Sequence, residues 1–220
     1  MFRFIRFFAF SLFLSFSAKA EGVAVPSSEA RLWANSKGQE LIQTLSLVDP
    51  IEKYAKLDKM MTEDVNLEYI SKFVIGKYAR LMNAEQKERY SKLFHRYVLS
   101  LYRQTNLSFD ASKIQFSINN VTEYDKFTTV SCLVDAGKLL EGVKGVEVQK
   151  LPVKFKLIRG RNNRIQAVDV EISEVSMVIE YRKRFYQMIK EDGENINWFL
   201  DKFDDKIRAN EEAFSKNAGI

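Results

Sequence analysis

The spacing of apolar positions divides the chain into a helical first part, a strand-rich middle and a helical end. Over 29–48, Leu32, Trp33, Leu41, Leu45 and Val48 fall roughly on one side of a helix. That helix should stop at Asp49-Pro50. There Asp49 can cap, Pro50 suits a first helical position and Glu52 can reach back to the Asp49 amide, so a second helix is expected over 50–61. Residues 62–64 read as a capping region before a shorter helix at 65–75, which Gly76 ends or bends. The strongest helical signal follows. Asn83 with Gln86 three residues on forms a capping pair, and Tyr90, Leu93, Phe94, Tyr97, Val98 and Leu101 recur at three- and four-residue steps. Glu85, Lys87, Glu88, Lys92 and Arg96 occupy the opposite face.

Near Ser112 the period changes to two. Ile114-Phe116-Ile118, Val130-Cys132-Val134, Leu151-Val153-Phe155-Leu157 and Val168-Val170-Ile172 each alternate with polar neighbours, and turns are expected at 124–126, 137–145 and 160–163. Successive strands with short connections imply an antiparallel meander. Its one apolar face needs a cover, and helices are the only candidates. Ser176 is expected to cap a helix running to Ile189, and Asn195 to open another that runs to Asn210. The expected class is α+β: N-terminal helices, a curved antiparallel sheet of about four to five strands and C-terminal helices, enclosing an apolar pocket.

The first twenty residues change how the charge is read. Arg3 and Arg6 precede an apolar run at 7–16, and Ala18-Lys19-Ala20 has the small-x-small pattern of signal peptidase sites. The run is about half the roughly twenty apolar residues that a membrane span needs. A cleavable signal peptide over 1–20, cut after Ala20, is therefore expected, followed by a single domain over 21–220. No Cys lies near the cut to carry an acyl anchor. Without Arg3, Arg6 and Lys19 the 34 basic residues become 31 against 29 acidic, a net charge of +2. Both signs are mixed on nearly every segment, which argues against a nucleic-acid partner.

Catalytic signals are weak. His95 is the only His and falls beside the apolar stripe of its helix, toward the polar side; Cys132, the only Cys, alternates with Val130 and Val134 and reads as a buried thiol, so no intrachain disulfide is available. No Gly-x-Ser-x-Gly, His-Glu-x-x-His or Cys-x-x-Cys occurs, and the glycines at 137, 142 and 145 lack the Lys-Ser/Thr of a phosphate loop. No metal, cofactor or enzymatic activity is expected. A one-sided sheet facing amphipathic helices rich in Phe, Tyr, Leu, Ile and Val can instead enclose an apolar cavity, and an exported protein of that kind suggests carriage of something apolar.

Two stretches carry a family resemblance. The first is Asn66-Leu-Glu-Tyr-Ile-Ser-Lys-Phe-Val-Ile-Gly-Lys-Tyr-Ala-Arg80, followed by Asn83-Ala-Glu-Gln-Lys-Glu-Arg-Tyr90, Phe94 and Tyr102. The second is Asp169-Val170, Val175-Ser176-Met-Val178, Tyr181-Arg182 and Phe185. In order and spacing they resemble the MlaC family, also described as toluene-tolerance or Ttg2-type proteins. The chain departs from the family pattern at Ile165, where a Trp is usual, at Glu174, where a Gly is usual, and in a longer 137–145 loop.

The resemblance implies a periplasmic phospholipid carrier, without enzymatic activity, that maintains outer-membrane lipid asymmetry. Its implied partners are an inner-membrane ABC transporter with an MCE-domain subunit and an outer-membrane lipoprotein-porin complex; the carrier itself is expected to be a monomer. A hopanoid-associated branch is a close neighbour, so another apolar ligand remains an alternative. An enzyme of similar cone-shaped fold, acting on a small apolar substrate, is the other. Side chains expected to touch lipid tails are Phe73, Ile75, Tyr78, Phe94, Tyr97, Val98 and Leu101 from the helices. From the strands they are Val130, Cys132, Val134, Val153, Phe155, Val168, Val170 and Ile172. Arg182 is expected to ion-pair with a carboxylate such as Asp169 and hold its helix onto the sheet.

Overall fold

Side-chain caps start all but the first of the helices near the predicted positions. In a computed structural model that describes residues 22–103, 110–136, 150–160, 162–191 and 193–218, α1 spans Ser27–Leu45, α2 Pro50–Asp64 and α3 Leu67–Ile75. A 3-10 turn at Gly76–Arg80 leads to α4 at Ala84–Arg103; α5 is Met177–Glu191 and α6 Ile196–Ala218. The Asp49 carboxylate accepts the Ile51 amide at 2.9 Å. Asn83 and Gln86 cap each other reciprocally, each side chain accepting the other's backbone N–H at 2.8–2.9 Å. The expected signal peptide with its cut, and the expected turn at 137–145, lie outside the described residues.

The last helix runs past the expected Asn210 to Ala218, and the boundary before α3 also differs from expectation. Residues 62–64 are the last turn of α2, where Thr62 donates its hydroxyl back to the Asp58 carbonyl, and the cap of α3 is Asn66, whose Oδ1 accepts the Tyr69 amide. Asn66 also donates its amide to Ala167 O, so the cap is fixed by the sheet as well as by its own helix.

The strands are β1 Gly22–Val23, β2 Gln115–Glu123, β3 Thr128–Asp135, β4 Lys150–Gly160, β5 Ile165–Ile172 and β6 Val175–Ser176. They pair antiparallel in the order β2-β3-β4-β5-β6, the predicted meander, with β1 joining β4 beyond the end of β3. Bulges between Ile118 and Asn120, and opposite Lys156/Leu157 at Val168, add local bend. The pairing of β1 was not legible in the sequence, where this segment reads as a polar leader. It depends on Gly22, because a Cβ there would sit 2.7 Å from Ile158 Cδ1 and 2.9 Å from Arg159 O. Three residues on, the Val25 amide donates to the buried Thr128 hydroxyl, which donates back to Val25 O.

The side of α1 that faces the sheet is made of small residues rather than the large ones. Ala30 and Ala34 are buried against Val130, Cys132, Leu157 and Ala167, and Gly38 approaches so closely that a Cβ would meet the Phe116 ring at 2.7 Å. Trp33 packs there too, but Leu32 is 70 % exposed and Val48, just past the helix, 96 %. Small side chains at four-residue steps let a helix lie close on a strand layer, which is why α1 buries them while Leu32 and Leu41 stay exposed.

The remaining helices form a second core. Phe185 of α5 has Tyr90, Phe94, Tyr97, Phe199 and Phe203 around it at ring-centroid distances of 4.9–6.3 Å. Offset and edge-to-face aromatic pairs of this kind add to the burial of large apolar area. α3 and α5 touch β5, so this bundle stands at that edge of the sheet, whereas α1 covers β2 and β3.

The expected Arg182–Asp169 ion pair is not formed. Asp169 accepts the Ser176 hydroxyl at 2.7 Å and the Val178 amide at 3.3 Å, serving the start of α5. Arg182 instead lies over the rings of Phe73 and Tyr186, 4.8 and 5.2 Å from their centroids, and donates to the Tyr186 hydroxyl at 3.0 Å. One turn of α5 separates Val178 from Arg182, which carries the guanidinium past the carboxylate and toward the 3-10 turn.

Candidate functional site

Register places the apolar strand residues in rows across one face of the sheet. Val130 opposes Phe155 and Phe155 opposes Val170; Cys132 opposes Val153 and Val153 opposes Ile172; Val134 opposes Leu151. Directly opposed residues point to the same side, and this is the side α1 covers. Burial falls along the strands from one end to the other. At the closed end Thr128, Leu157 and Ala167 are buried, as is Val130 one step further. At the other end Val134, Val153, Phe155 and Val170 are half-buried, and Leu151 and Ile172 are 39 % and 37 % exposed. The arrangement is a wedge, sealed where α1 and the sheet meet and open where the rows pass beyond the helix. Val98, Leu101 and Tyr181 are half-buried at the margin of the helical core.

The residues expected at a lipid site fall into distinct groups. Val134, Val153, Phe155, Val170 and Ile172 lie together on the open part of the sheet, and Val130 and Cys132 are buried in the same rows next to α1. Ile75, Tyr78, Phe94 and Tyr97 are buried in the helical core, while Phe73, Val98 and Leu101 are partly buried at its edge. Val168 is buried as the extra residue of the β5 bulge. Leu151 was absent from the expected set, although its alternation with Val153 and Phe155 is the signal that assigns it to this face.

The chemistry of the wedge is that of an apolar contact surface. Burial pushes the Cys132 thiol up to about 11, against the weaker opposite pull of Arg31, so it stays protonated at neutral pH. His95 is exposed on α4 beside a separate cavity of about 360 Å³ that also has Thr62, Asn66, Glu68, Asn162 and Gln166 in its walls. Several of its polar groups already serve the fold: Asn66 caps α3, Glu68 pairs with Lys72 at 2.7 Å and Gln166 donates to Glu63 O. Among the described residues, no group of three His, Cys, Asp or Glu is arranged to hold a metal ion, and no helix is long and apolar enough to cross a membrane.

A family model described as MlaC protein matches residues 39–204. Among solved structures, the chain is similar to a phospholipid-binding protein from Ralstonia solanacearum in complex with a phospholipid, at 12 % identity and a TM-score of 0.66. The match covers 83 % of this chain and 98 % of that one, and at this identity it is a likeness of fold. No curated protein matches the chain in sequence.

Proposed function

The chain belongs to the MlaC family, and from that membership and the shape of its apolar wedge we propose that it binds phospholipid and carries it between membranes. The observation that carries this reading is the fall in burial along three adjacent strands, from Leu157 and Ala167 at the closed end to Leu151 and Ile172 at the open end. Acyl tails would lie against Val134, Val153, Phe155, Val170 and Ile172, with Val98 and Leu101 at the border. Ile75, Tyr78, Phe94 and Tyr97 would reach a tail only if the bundle parted from the sheet.

Energetics favour a wedge of this kind over a sealed core. Each buried CH₂ contributes about 0.8 kcal/mol, so two full acyl chains would contribute on the order of 20 kcal/mol gross. A carrier must roughly match the bilayer it takes lipid from and still release the lipid, which an open apolar face allows. An ordinary core, filled by its own side chains, would not expose three strands of Val, Phe, Leu and Ile at one end.

The finer reading follows the family. The protein would be exported by the signal at 1–20, released as a single domain over 21–220, and would act as a binding protein rather than an enzyme in the periplasm. It would pass phospholipid between the outer-membrane lipoprotein-porin complex and the MCE-type ABC transporter of the inner membrane and so support outer-membrane asymmetry. Organic extraction and mass spectrometry of the protein purified from the periplasm tests the central claim, with stoichiometric phospholipid expected. Protein that holds none, even after incubation with phospholipid vesicles, would refute it. N-terminal sequencing should begin at Glu21.

A further inference from the structure

Among the described residues, none from α2 takes part in the core under α1 or in the helical core. Of the fifteen residues in α2 only Lys53 and Leu57 are buried, whereas the nine-residue α3 buries five. The helix nevertheless spans both cores, touching α1, β5 and α4. Its attachments are mostly polar. On the α4 side the Asp58 carboxylate accepts both the Tyr102 hydroxyl and the Arg103 guanidinium, and Tyr54 stands edge-on to Phe214 of α6 at 4.7 Å. On the α1 side the Lys37 ammonium lies 2.9 Å from Asp64 Oδ2.

Each ionic attachment leaves a buried polar atom without a hydrogen bond among the described residues, Arg103 Nε at one and Asp64 Oδ2 at the other. Lys37 gives its hydrogen bond to Glu40 of its own helix, at 2.8 Å. Burial raises the Asp64 carboxyl above its ordinary value against the pull of Lys37, so this pair does not offset its own desolvation. The Asp58 and Arg103 side chains keep 27 % and 26 % of their exposure, and both regain water readily once parted. A helix with few buried apolar residues and incompletely satisfied polar attachments opens at less cost than the fold as a whole. We propose that α2 is a strap across the two cores, fastened to α4 at Asp58 and unfastened as phospholipid passes, so that the helical bundle parts from the sheet. That parting brings Ile75, Tyr78, Phe94 and Tyr97 within reach of a tail. Asp58 acts through α2 and is a positioning residue. The inference rests on the phospholipid-carrier reading above.

Amide hydrogen exchange of the purified protein, with transfer of a nitrobenzoxadiazole-labelled phosphatidylethanolamine between phosphatidylcholine vesicles, tests it. Amides of α2 should exchange about tenfold or more faster than those of α5. Asp58→Asn should raise both α2 exchange and lipid transfer about tenfold, the scale of one charge-assisted hydrogen bond. It should leave α5 exchange and the phospholipid held per chain unchanged. Asp58→Cys/Arg103→Cys joined by a reducible bis-methanethiosulfonate linker should lose transfer, and reduction should restore it; Cys132 is buried out of the reagent's reach. The strap is overturned if the linked protein transfers lipid at the rate of its reduced form, or if wild-type α2 exchanges as slowly as α5. Faster α2 exchange in Asp58→Asn with unchanged transfer would make the contact purely structural and overturn its part in lipid passage. These outcomes leave the carrier reading intact. Wild-type protein that holds no phospholipid and transfers none would overturn the carrier reading itself, and the strap's role with it.

Discussion

Ser176 donates its hydroxyl to the Asp169 carboxylate at 2.7 Å and accepts the Ile179 amide at 3.2 Å, so one side chain joins β5 to the first turn of α5. Asp169 adds the Val178 amide and thereby satisfies a second N–H that a helix start leaves free. The strand that borders the wedge and the helix that closes the bundle are locked by three hydrogen bonds over eleven residues of chain.

Removing that lock should cost stability without removing the wedge. Asp169→Ala is expected to lower unfolding free energy by about 1–3 kcal/mol, and Ser176→Ala by about 1 kcal/mol. Urea denaturation followed by circular dichroism measures both. An Asp169→Ala protein as stable as wild type would show that the lock contributes nothing.

Gly76 is constrained twice, by a φ of +48° and by the Tyr186 hydroxyl and Arg182 guanidinium, which occupy the space a Cβ would need. Gly76→Ala should therefore lose about 2 kcal/mol or more. The Tyr186 hydroxyl accepts both the Lys77 amide and Arg182 at 3.0 Å; burial would raise its phenol, but these donors leave it below its ordinary value. Tyr186→Phe made alone should cost about 1 kcal/mol, the worth of such hydrogen bonds. Made in the Gly76→Ala background it should cost less, because it also relieves the clash. Equal costs in the two backgrounds would mean that backbone strain alone explains the glycine.

Volume added where the apolar face is open should displace ligand, whereas volume added where it is closed should displace the fold. Val170→Trp is expected to leave the thermal transition nearly unchanged and reduce phospholipid recovered per protein chain by mass spectrometry. Val130, fully buried at the other side of the same row, should lose roughly 3 kcal/mol as Val130→Trp. Normal lipid content in a folded Val170→Trp protein would count against tails lying on this surface.

Cys132 offers a pH signature. Its thiol ordinarily titrates near 9.0 but is raised to about 11 in the fold by burial. Between these values the unfolded chain gives up the proton that the native chain keeps. The contribution is complete below pH 9.0 and is lost as pH rises toward 11. Urea unfolding between pH 9 and 10, below the ordinary tyrosine range, should show stability falling with pH in the wild type and a shallower fall in Cys132→Ala. Identical slopes would show that the thiol is not held neutral. At pH 8 a thiol reagent should label Cys132 only on unfolding.

The helix starts were legible because capping is local. Asp49 with Ile51, Asn83 with Gln86, and Asn195 with Asn197 and Trp198 act within three residues, and residue type and spacing suffice to find them. The four alternating strands and their antiparallel order were legible for a similar reason, since a period of two and short connections leave few topologies. Chain order alone did not reveal that β1 pairs with β4 across more than a hundred residues, or that Gly22 must lack a side chain for it to do so.

Side choice on α1 and the fate of Arg182 were settled by packing at a distance. Ala30, Ala34 and Gly38 outrank Leu32 and Leu41 at the sheet because close approach rewards small volume there. Sequence by itself determined an α+β chain with an apolar sheet face, a chemistry poor in catalytic groups and a family. Which apolar residues fill a core and which line an opening was decided only in three dimensions. Val130 and Val170 are the same amino acid at the two sides of one cross-strand row, and one is sealed and the other half-open because α1 packs over β2 and β3 while Val170 lies across the sheet on β5.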